Sequence, residues 1–350
     1  MEAAGALAPA AAALQDHSFR TVTILDPPAL PMSMHHPRPA PIAVSRYLQL
    51  ASLAALAIVA ACAQPPGERD GNVRGAATVS EHFAAAEAAP VERSSFSDAR
   101  AMGEAEVTFF YVPSSGFAYR DAAGDLTGVT VELLRDFARY AAAEHGIALT
   151  VEWMEEERWA DFYGYVRDSR GGAFGIGNVT ITEDRRDELA FSPPYLNNVA
   201  VLVTHEDVPE LSSLEEIGTA FRNLTALPYP GTLHETRLHA IGDRHLPDMP
   251  TRPVASNDEL VSLLASGEGY FGYIDVYNYW RAREAGEPLR RHPVGDDASE
   301  TFGVIMPHGS DWAPVMESFF QTGGGYAESR RFRALLREHL GDELASLLAG

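Results

Sequence analysis

The sequence contains no lysine and a single cysteine, Cys62. One cysteine cannot form a disulfide bond within the chain or build a cysteine-based zinc site. Because lysine is absent, all 27 basic residues are arginine, and 49 acidic residues outnumber them to give a net charge of -22. A chain this acidic lacks the cations that replace condensed counterions, so we expect no nucleic-acid partner. The charge is typical of a soluble, self-repelling protein.

The sequence also lacks a comfortable membrane-spanning run near its N-terminus. The apolar stretch YLQLASLAALAIVAAC ends at Cys62 and has about fourteen apolar residues, whereas a transmembrane helix needs about 20. That length, after an arginine, is typical of a signal-peptide core. Its end, VAAC, resembles the bacterial lipobox, which implies that Cys62 is lipidated; a buried core cysteine is the alternative. We therefore expect a signal peptide over 1–61, with the true start at Met1, Met32 or Met34.

The segment that follows the cysteine, residues 62–104, is rich in alanine, proline, serine and charge. This composition predicts a flexible, lipid-anchored linker that holds a folded body away from a membrane. We expect the protein in the periplasm or at the cell surface, in contact with the membrane through its N-terminal lipid only.

From residue 105 onward, strand and helix patterns alternate. AEVTFFYV (105–112) and IALTVEWM (147–154) read as strands because they are rich in β-branched and aromatic residues. VTVELLRDFARYAAAEHG (129–146) between them has one apolar helical face and ends at a glycine. A helix between two strands predicts that the strands are parallel and that the helix forms the crossover between them. A second set of such patterns follows residue 205, so the fold class is α/β.

The stretch NVTITEDRRDELAFSPPY (178–195) places a cation just after a predicted strand. Arg185 follows Thr180 by five residues and lies in an acidic-basic cluster. Most arginines in such clusters are solvated surface charges. The alternative is an anion clamp, since a planar guanidinium can hold a carboxylate with two parallel hydrogen bonds.

Several motifs in order resemble the family 3 extracellular solute-binding proteins, the polar-amino-acid receptors of ABC importers. They are GFAYRDAAGDLTGVTVELLRDFA, TITEDRRDELAFSPPY, PYPGTLHE, LASGEGYFGYID, FGVIMPHGSDW and YAESRRFRALLREHLG, spread over residues 105–341. The resemblance implies a two-lobed clamshell of the periplasmic-binding-protein type II fold with two hinge crossings. It implies lobe 1 over 105–200 and 302–350, lobe 2 over 205–297, and hinges near 200–204 and 298–301.

The resemblance also assigns roles to three polar residues. Arg185 matches the family's carboxylate-binding arginine, and Thr180 matches the position that bonds to the same carboxylate. Asp275 matches the acid that holds the ligand's ammonium group. The alternative for Asp275 is a capping residue for the helix that follows it.

Five further positions are implied as ligand contacts. Phe117 matches an aromatic that packs on the ligand and Trp159 lies near a second such position, although each is also a candidate core residue. Asn178 stands where the family usually has glycine. Gly231 and Thr232 would offer backbone amides at a helix N-terminus. The pattern NVTITEDRR, FSPPYLNN and YIDVYNYW marks a subgroup whose ligand need not be a standard amino acid.

The function that the resemblance implies is an extracytoplasmic solute-binding lipoprotein that delivers a zwitterionic solute to an ABC permease, without catalysis. We expect no cofactor, and no metal because the spacing of His234, His239 and His245 does not place them on one helical face. One alternative is a periplasmic enzyme similar to cyclohexadienyl dehydratases, which needs a general acid that the sequence does not identify. The other is a ligand-sensing lipoprotein.

Overall fold

The computed structural model describes residues 78–348. The predicted signal peptide over 1–61, the lipobox cysteine Cys62 and the first part of the predicted linker therefore lie outside the described residues. Within the described range, no helix is both long enough and apolar enough to span a membrane.

The described residues form a mixed sheet of ten strands and a separate sheet of two. The main path of the large sheet runs β1-β5-β2-β6-β12-β8-β10-β9, while β7 pairs with β12 and β11 with β8. Strands β1, β5, β2 and β6 are parallel, and β12 is antiparallel to both β6 and β8. The strands are β1 (Val79–Phe83), β2 (Glu104–Tyr111), β3 (Tyr119–Arg120), β4 (Leu126–Thr127), β5 (Ala148–Glu155), β6 (Ala173–Thr180), β7 (Leu189–Phe191), β8 (Leu196–His205), β9 (Thr225–Ala226), β10 (Tyr270–Asp275), β11 (Leu289–Arg291) and β12 (Asp297–Pro307).

Helices connect these strands, which confirms the predicted α/β class. They are α1 (Phe96–Met102), α2 (Val129–His145), α3 (Trp159–Asp168), α4 (Glu183–Glu188), α5 (Ile217–Ala220), α6 (Leu233–His245), α7 (Asn257–Ala265), α8 (Val276–Glu284), α9 (Ala313–Gln321), α10 (Arg330–Leu340) and α11 (Asp342–Leu348). Short 3-10 turns cover Leu214–Glu216, Pro293–Gly295 and Thr322–Gly324.

Helix α2 shows why these residues fold as predicted. It buries one apolar face, which includes Leu134 and Phe137. Gly146 ends the helix in the left-handed conformation, with φ of 66°. Before the helix, Gly128 is required because a Cβ there would collide with the carbonyl of Phe117.

The prediction that 62–104 is a flexible linker is wrong for residues 79–102. Strand β1 pairs with β5 over all five of its residues, and the ring of Phe96 in α1 packs against Trp312 with centroids 5.1 Å apart. Between them, Arg93 donates to Thr108 Oγ1 (2.8 Å) and forms an ion pair with Glu152. The sequence does not reveal β1 because this edge strand exposes four of its five residues and so has no apolar pattern.

Two hydrophobic cores underlie the sheet. The larger is built on β2, β5, β6, α2 and α9, where it includes Phe109, Phe137 and Trp312, and it continues through β8, β10 and α8 as far as Ile274 and Trp280. The smaller lies around β9, β10, α5 and α6, and includes Phe221, Leu238, Ile241, Phe271 and Tyr273. Strands β8 and β12 pair with each other in the middle of the sheet.

Candidate functional site

A cleft of about 550 Å³ lies where β6 and β10 end and where α3, α6, α7 and α8 begin. Strand ends that meet helix starts are the usual place for ligands in open α/β sheets, and the volume suits a small molecule. The lining of the cleft includes Asn178, Thr180, Arg185, Trp159, Thr232, His234, Asp275, Tyr277 and Glu300.

Arg185 reaches the cleft from the first turn of α4. The helix is capped by Thr182, whose hydroxyl accepts from the backbone N–H of Arg185 at 3.2 Å. The guanidinium donates through Nη1 to the carbonyl of Thr180 at 3.0 Å. No carboxylate among residues 78–348 lies within 4.0 Å of it. Burial lowers the pKa of Arg185, and the more distant charges of Glu300 and Glu188, which act to raise it, do not offset that effect.

Two aromatic rings hold this guanidinium in place. Arg185 lies over the ring of Trp159 at 4.9 Å and over that of Tyr163 at 5.7 Å. The two rings are stacked on α3 with centroids 5.3 Å apart. The indole of Trp159 also donates to the carbonyl of Gly177 at 3.1 Å. Arg185 is thus oriented by cation–π contacts and one hydrogen bond, which leave its charge available to an anion.

Asp275 is the last residue of β10 and precedes α8. It makes no side-chain capping bond to that helix, so the capping alternative for this residue is not the arrangement seen. Its Oδ1 accepts from Asn198 Nδ2 at 2.5 Å and lies 3.4 Å from His234 Nε2. Burial acts to raise the pKa of Asp275, but His234 and hydrogen bonds from Asn198 and Tyr277 outweigh it, so the pKa is below its ordinary value. The group is a carboxylate at neutral pH.

A buried polar network continues from Asp275. Asn198 donates through the same Nδ2 to Glu300 Oε2 at 2.6 Å, so one amide links two carboxylates. Glu300 also forms an ion pair with Arg237, which in turn donates to Asp297 at 2.8 Å. Asn198, Arg237 and Glu300 were not identified by the sequence. Glu300 lies directly opposite Asn198 in the pairing of β12 with β8, a contact between residues far apart in the chain.

Asn178 occupies an unusual backbone position in β6, two residues before the strand ends. Its φ is 52°, and among the described residues no other residue except glycine has a positive φ. Asparagine tolerates this left-handed region better than most side chains. Its Nδ2 donates to the hydroxyl of Tyr277 at 2.8 Å, and its Oδ1 accepts from the hydroxyl of Tyr195 at 3.2 Å.

Three of the predicted contacts are arranged differently from the prediction. Phe117 does not line the cleft; it is buried and packs against the ring of Tyr277 at 4.6 Å. The N–H of Gly231 donates to the carboxylate of Glu235 at 2.9 Å, and that of Thr232 to the carbonyl of Tyr229 at 3.3 Å. The predicted use of these two amides as free donors is therefore wrong, because they are consumed in starting α6.

The other predicted residues converge. Arg185, Thr180 and Trp159 form one wall, Asp275 lies in the same cleft, and Asn178 lies in the strand that also carries Thr180. Thr232 lines the cleft, but its hydroxyl caps α6 by accepting from the N–H of Glu235 at 3.4 Å. No group of three or more potential ligands among residues 78–348 is placed to hold a metal ion.

Comparisons with known proteins identify a family and a fold for this chain. A family model for bacterial extracellular solute-binding proteins, family 3, matches residues 110–323. No curated protein matches the chain. A solved arginine-, lysine-, histidine-binding protein from Geobacillus stearothermophilus is 17% identical, with 68% of this chain and 96% of that chain covered and a TM-score of 0.53.

Two further solved structures are similar. A substrate-binding protein of an ABC uptake transporter from Streptococcus pneumoniae, with bound histidine, is 16% identical over 72% of this chain and 98% of its own, with a TM-score of 0.55. An ancestral amino acid-binding protein, a precursor of cyclohexadienyl dehydratase, is 17% identical over 70% and 98%, with a TM-score of 0.52. At these identities the likeness shows the fold, and it confirms the predicted two-lobed type II clamshell.

Proposed function

We propose, since this chain belongs to the bacterial extracellular solute-binding proteins of family 3, that its cleft binds a small zwitterionic solute, a polar amino acid or a derivative of one. The observation that carries the proposal is that Arg185 and Asp275 line one cleft with opposite charges. Arg185 is half-buried and has no carboxylate within 4.0 Å among the described residues, so a ligand carboxylate would supply a close counter-charge.

The two charged residues would divide the ligand between them. A guanidinium can grip a carboxylate with two parallel hydrogen bonds. Asp275 still has acceptor positions on Oδ2, since Asn198 and His234 both contact Oδ1, and an ammonium group can fill them. Thr180 orients Arg185 through its carbonyl. The similar structures that bind arginine, lysine or histidine support an amino-acid ligand.

The cellular role follows from the family and the N-terminal sequence. We assign the protein as the solute receptor of an ABC importer, located outside the cytoplasm, with an ABC permease as its partner. Lipid attachment at Cys62 rests on the VAAC sequence alone. We assign lobe 1 to residues 105–200 and 302–350, and lobe 2 to 205–297, as the family resemblance implies; β8 and β12, which pair with each other, would carry the chain between them.

The contacts of His234 support ligand binding without catalysis over the enzyme alternative. Among the described residues that line the cleft it is the one histidine. Its Nδ1 accepts from Arg237 Nη1 at 3.3 Å, and its Nε2 faces Asp275 at 3.4 Å. Both ring nitrogens are thus engaged by the protein, and neither is free to act as a general acid on a bound substrate.

The test is the melting temperature of the purified protein with each L-amino acid. A ligand at a hundredfold its dissociation constant adds about 2.7 kcal/mol, which is a shift of several degrees. We expect a shift with one class of amino acid, and its loss in Arg185→Ala and Asp275→Asn. Exposed Arg333→Ala is the matched control and should keep the shift.

Three outcomes would contradict the proposal. A well-folded protein that shifts with no L-amino acid would exclude the amino-acid assignment. A shift that persists in Arg185→Ala would show that the carboxylate is held elsewhere. Release of water and CO2 from prephenate or arogenate by the wild-type protein would establish the enzyme alternative instead.

A further inference from the structure

A hydrogen bond between two protein side chains crosses the cleft. The amide Nδ2 of Asn178 in β6 donates to the hydroxyl of Tyr277 in α8 at 2.8 Å, and both residues line the cleft. Residue 178 belongs to proposed lobe 1 and residue 277 to proposed lobe 2. Because the chain itself supplies both partners, this cross-cleft bond needs no group of the ligand.

The Asn178 side chain is oriented for this bond by a residue of its own lobe. Its Oδ1 accepts from the hydroxyl of Tyr195 at 3.2 Å, which leaves Nδ2 to donate to Tyr277. The backbone of Asn178 has a φ of 52°, a left-handed conformation that is unfavourable for a residue with a Cβ and that glycine adopts freely. Such conformations persist where surrounding contacts fix them. The amide of Asn178 thus makes two bonds that glycine at this position could not make.

Tyr277 contacts proposed lobe 1 through its ring as well as its hydroxyl. The side chain is buried, and its ring packs against that of Phe117 with centroids 4.6 Å apart. Burial, and then the charge of Asp275, raise the pKa of Tyr277 well above its usual value, so the hydroxyl is uncharged at neutral pH. The cross-cleft bond therefore joins two neutral groups, and phenylalanine at position 277 would remove it while keeping the ring contact.

We propose that Asn178 is a closure residue, whose bond to Tyr277 holds the two proposed lobes together whether or not a ligand is bound. Apparent affinity depends on the fraction of the protein that is in the binding-competent form. A bond that favours the closed form therefore strengthens binding without a contact to the ligand. The inference rests on the proposed lobes and not on the chemistry of the ligand, so the unliganded protein can test it.

The first measurement is small-angle X-ray scattering of the unliganded protein. The variants are Asn178→Gly, which fits the backbone, and Tyr277→Phe, which keeps the ring contact with Phe117. Each should have a larger radius of gyration than the wild type, and a saturating concentration of the L-amino acid with the largest thermal shift should remove the difference. Tyr326→Phe is the matched control, because its hydroxyl donates to Asp136 at 2.7 Å within proposed lobe 1. Its scattering should not change.

The second measurement is calorimetry with the same L-amino acid. We expect each single variant to bind it about fivefold more weakly, as for the loss of one neutral hydrogen bond. Because the two residues form the same bond, Asn178→Gly combined with Tyr277→Phe should bind no more weakly than either single variant. Tyr326→Phe should bind as the wild type does.

Two results would overturn the inference. Scattering from both unliganded variants that is identical to that of the wild type would show that the bond does not hold the lobes together. Weaker binding by Asn178→Gly alone, with Tyr277→Phe unchanged, would show that Asn178 contacts the ligand instead. If no L-amino acid binds the wild-type protein, the proposed function fails, while the scattering of the unliganded variants still decides this inference.

Discussion

Arg185 is held by groups that orient its charge without neutralising it. Its contacts are the carbonyl of Thr180 and the ring faces of Trp159 and Tyr163. These partners carry partial charges only, so the half-buried cation retains part of its desolvation cost when no ligand is bound. A ligand carboxylate would offset that cost. The unliganded protein is then less stable than it could be, and its affinity for an anion is higher.

The first prediction is therefore that Arg185→Met leaves the unliganded protein at least as stable as the wild type. Methionine keeps much of the apolar stem against Trp159 and removes the uncompensated charge. Urea unfolding without ligand should give a free energy of unfolding that is unchanged or higher, while binding of the amino acid is lost. Arg186→Met, at the exposed neighbouring position, should change neither quantity. A loss of more than about 1 kcal/mol in Arg185→Met alone would identify Arg185 as a structural residue.

At the scale of elements, His292 links three segments of the proposed lobe 2. It follows β11, and its Nδ1 accepts from the N–H of Leu211 at 3.1 Å. Its Nε2 lies 2.8 Å from the hydroxyl of Thr204 in β8. Burial, and then the charge of Arg290, lower the pKa of His292 from 6.5 to about 4. The neutral ring thus joins the loop after β8 to the end of β11.

The second prediction concerns the stability of this junction against pH. Between about pH 6.5 and 4 the unfolded chain binds a proton that folded His292 does not, so the contribution of His292 is complete above pH 6.5 and falls as the pH falls. His292→Gln should be less stable than wild type at pH 7. The difference in free energy of unfolding between wild type and variant, measured by urea unfolding, should be about 2 kcal/mol smaller at pH 5 than at pH 7. The exposed variant His239→Gln should show no such narrowing, and a constant gap for His292→Gln would contradict the account.

Local sequence patterns predict the helices and strands and the part of the site around Arg185. The other site residues are brought together only by the pairing of strands that are distant in the sequence. The apolar face of α2 and the motif around Arg185 are continuous in sequence, so they could be recognised there. Asn198 becomes a site residue only when β12 places Glu300 opposite it and β10 places Asp275 beside it. These contacts join residues 77 and 102 positions apart, and no local period records them.

The contact between Tyr277 and Asn178 could not be predicted from the sequence either. The sequence YIDVYNYW and the replacement of a glycine by Asn178 each signalled a departure from the family pattern. Neither one shows that the tyrosine hydroxyl and the asparagine amide meet at 2.8 Å. The edge strand β1 was missed for a different reason, because backbone pairing with β5 stabilises it in place of an apolar face.

At the scale of the whole molecule, one face of α8 joins the two proposed lobes. Tyr277 packs on Phe117, and one turn later Arg281 donates to the carbonyls of Ser115 and His339. Burial lowers the pKa of Arg281, whose hydrogen-bond partners are neutral. Since α8 lies in proposed lobe 2 and its partners in lobe 1, these contacts would form when the lobes close.

The third prediction is that Arg281→Ala shifts the unliganded protein towards an open state. Small-angle X-ray scattering should show a larger radius of gyration for the variant without ligand, and the same compact value as wild type with saturating amino acid. The affinity should fall accordingly, because closure then costs more. Arg333→Ala on the exposed face of α10 is the control. Identical scattering from variant and wild type in both states would show that Arg281 does not take part in closure.

A crystal structure of the wild-type protein with the amino acid of largest thermal shift tests the central claim most directly. We predict the ligand carboxylate within about 3 Å of two guanidinium nitrogens of Arg185, and the ammonium within about 3 Å of Asp275 Oδ2. A ligand whose carboxylate is bound by other residues, with Arg185 paired to a carboxylate of the protein itself, would contradict the account.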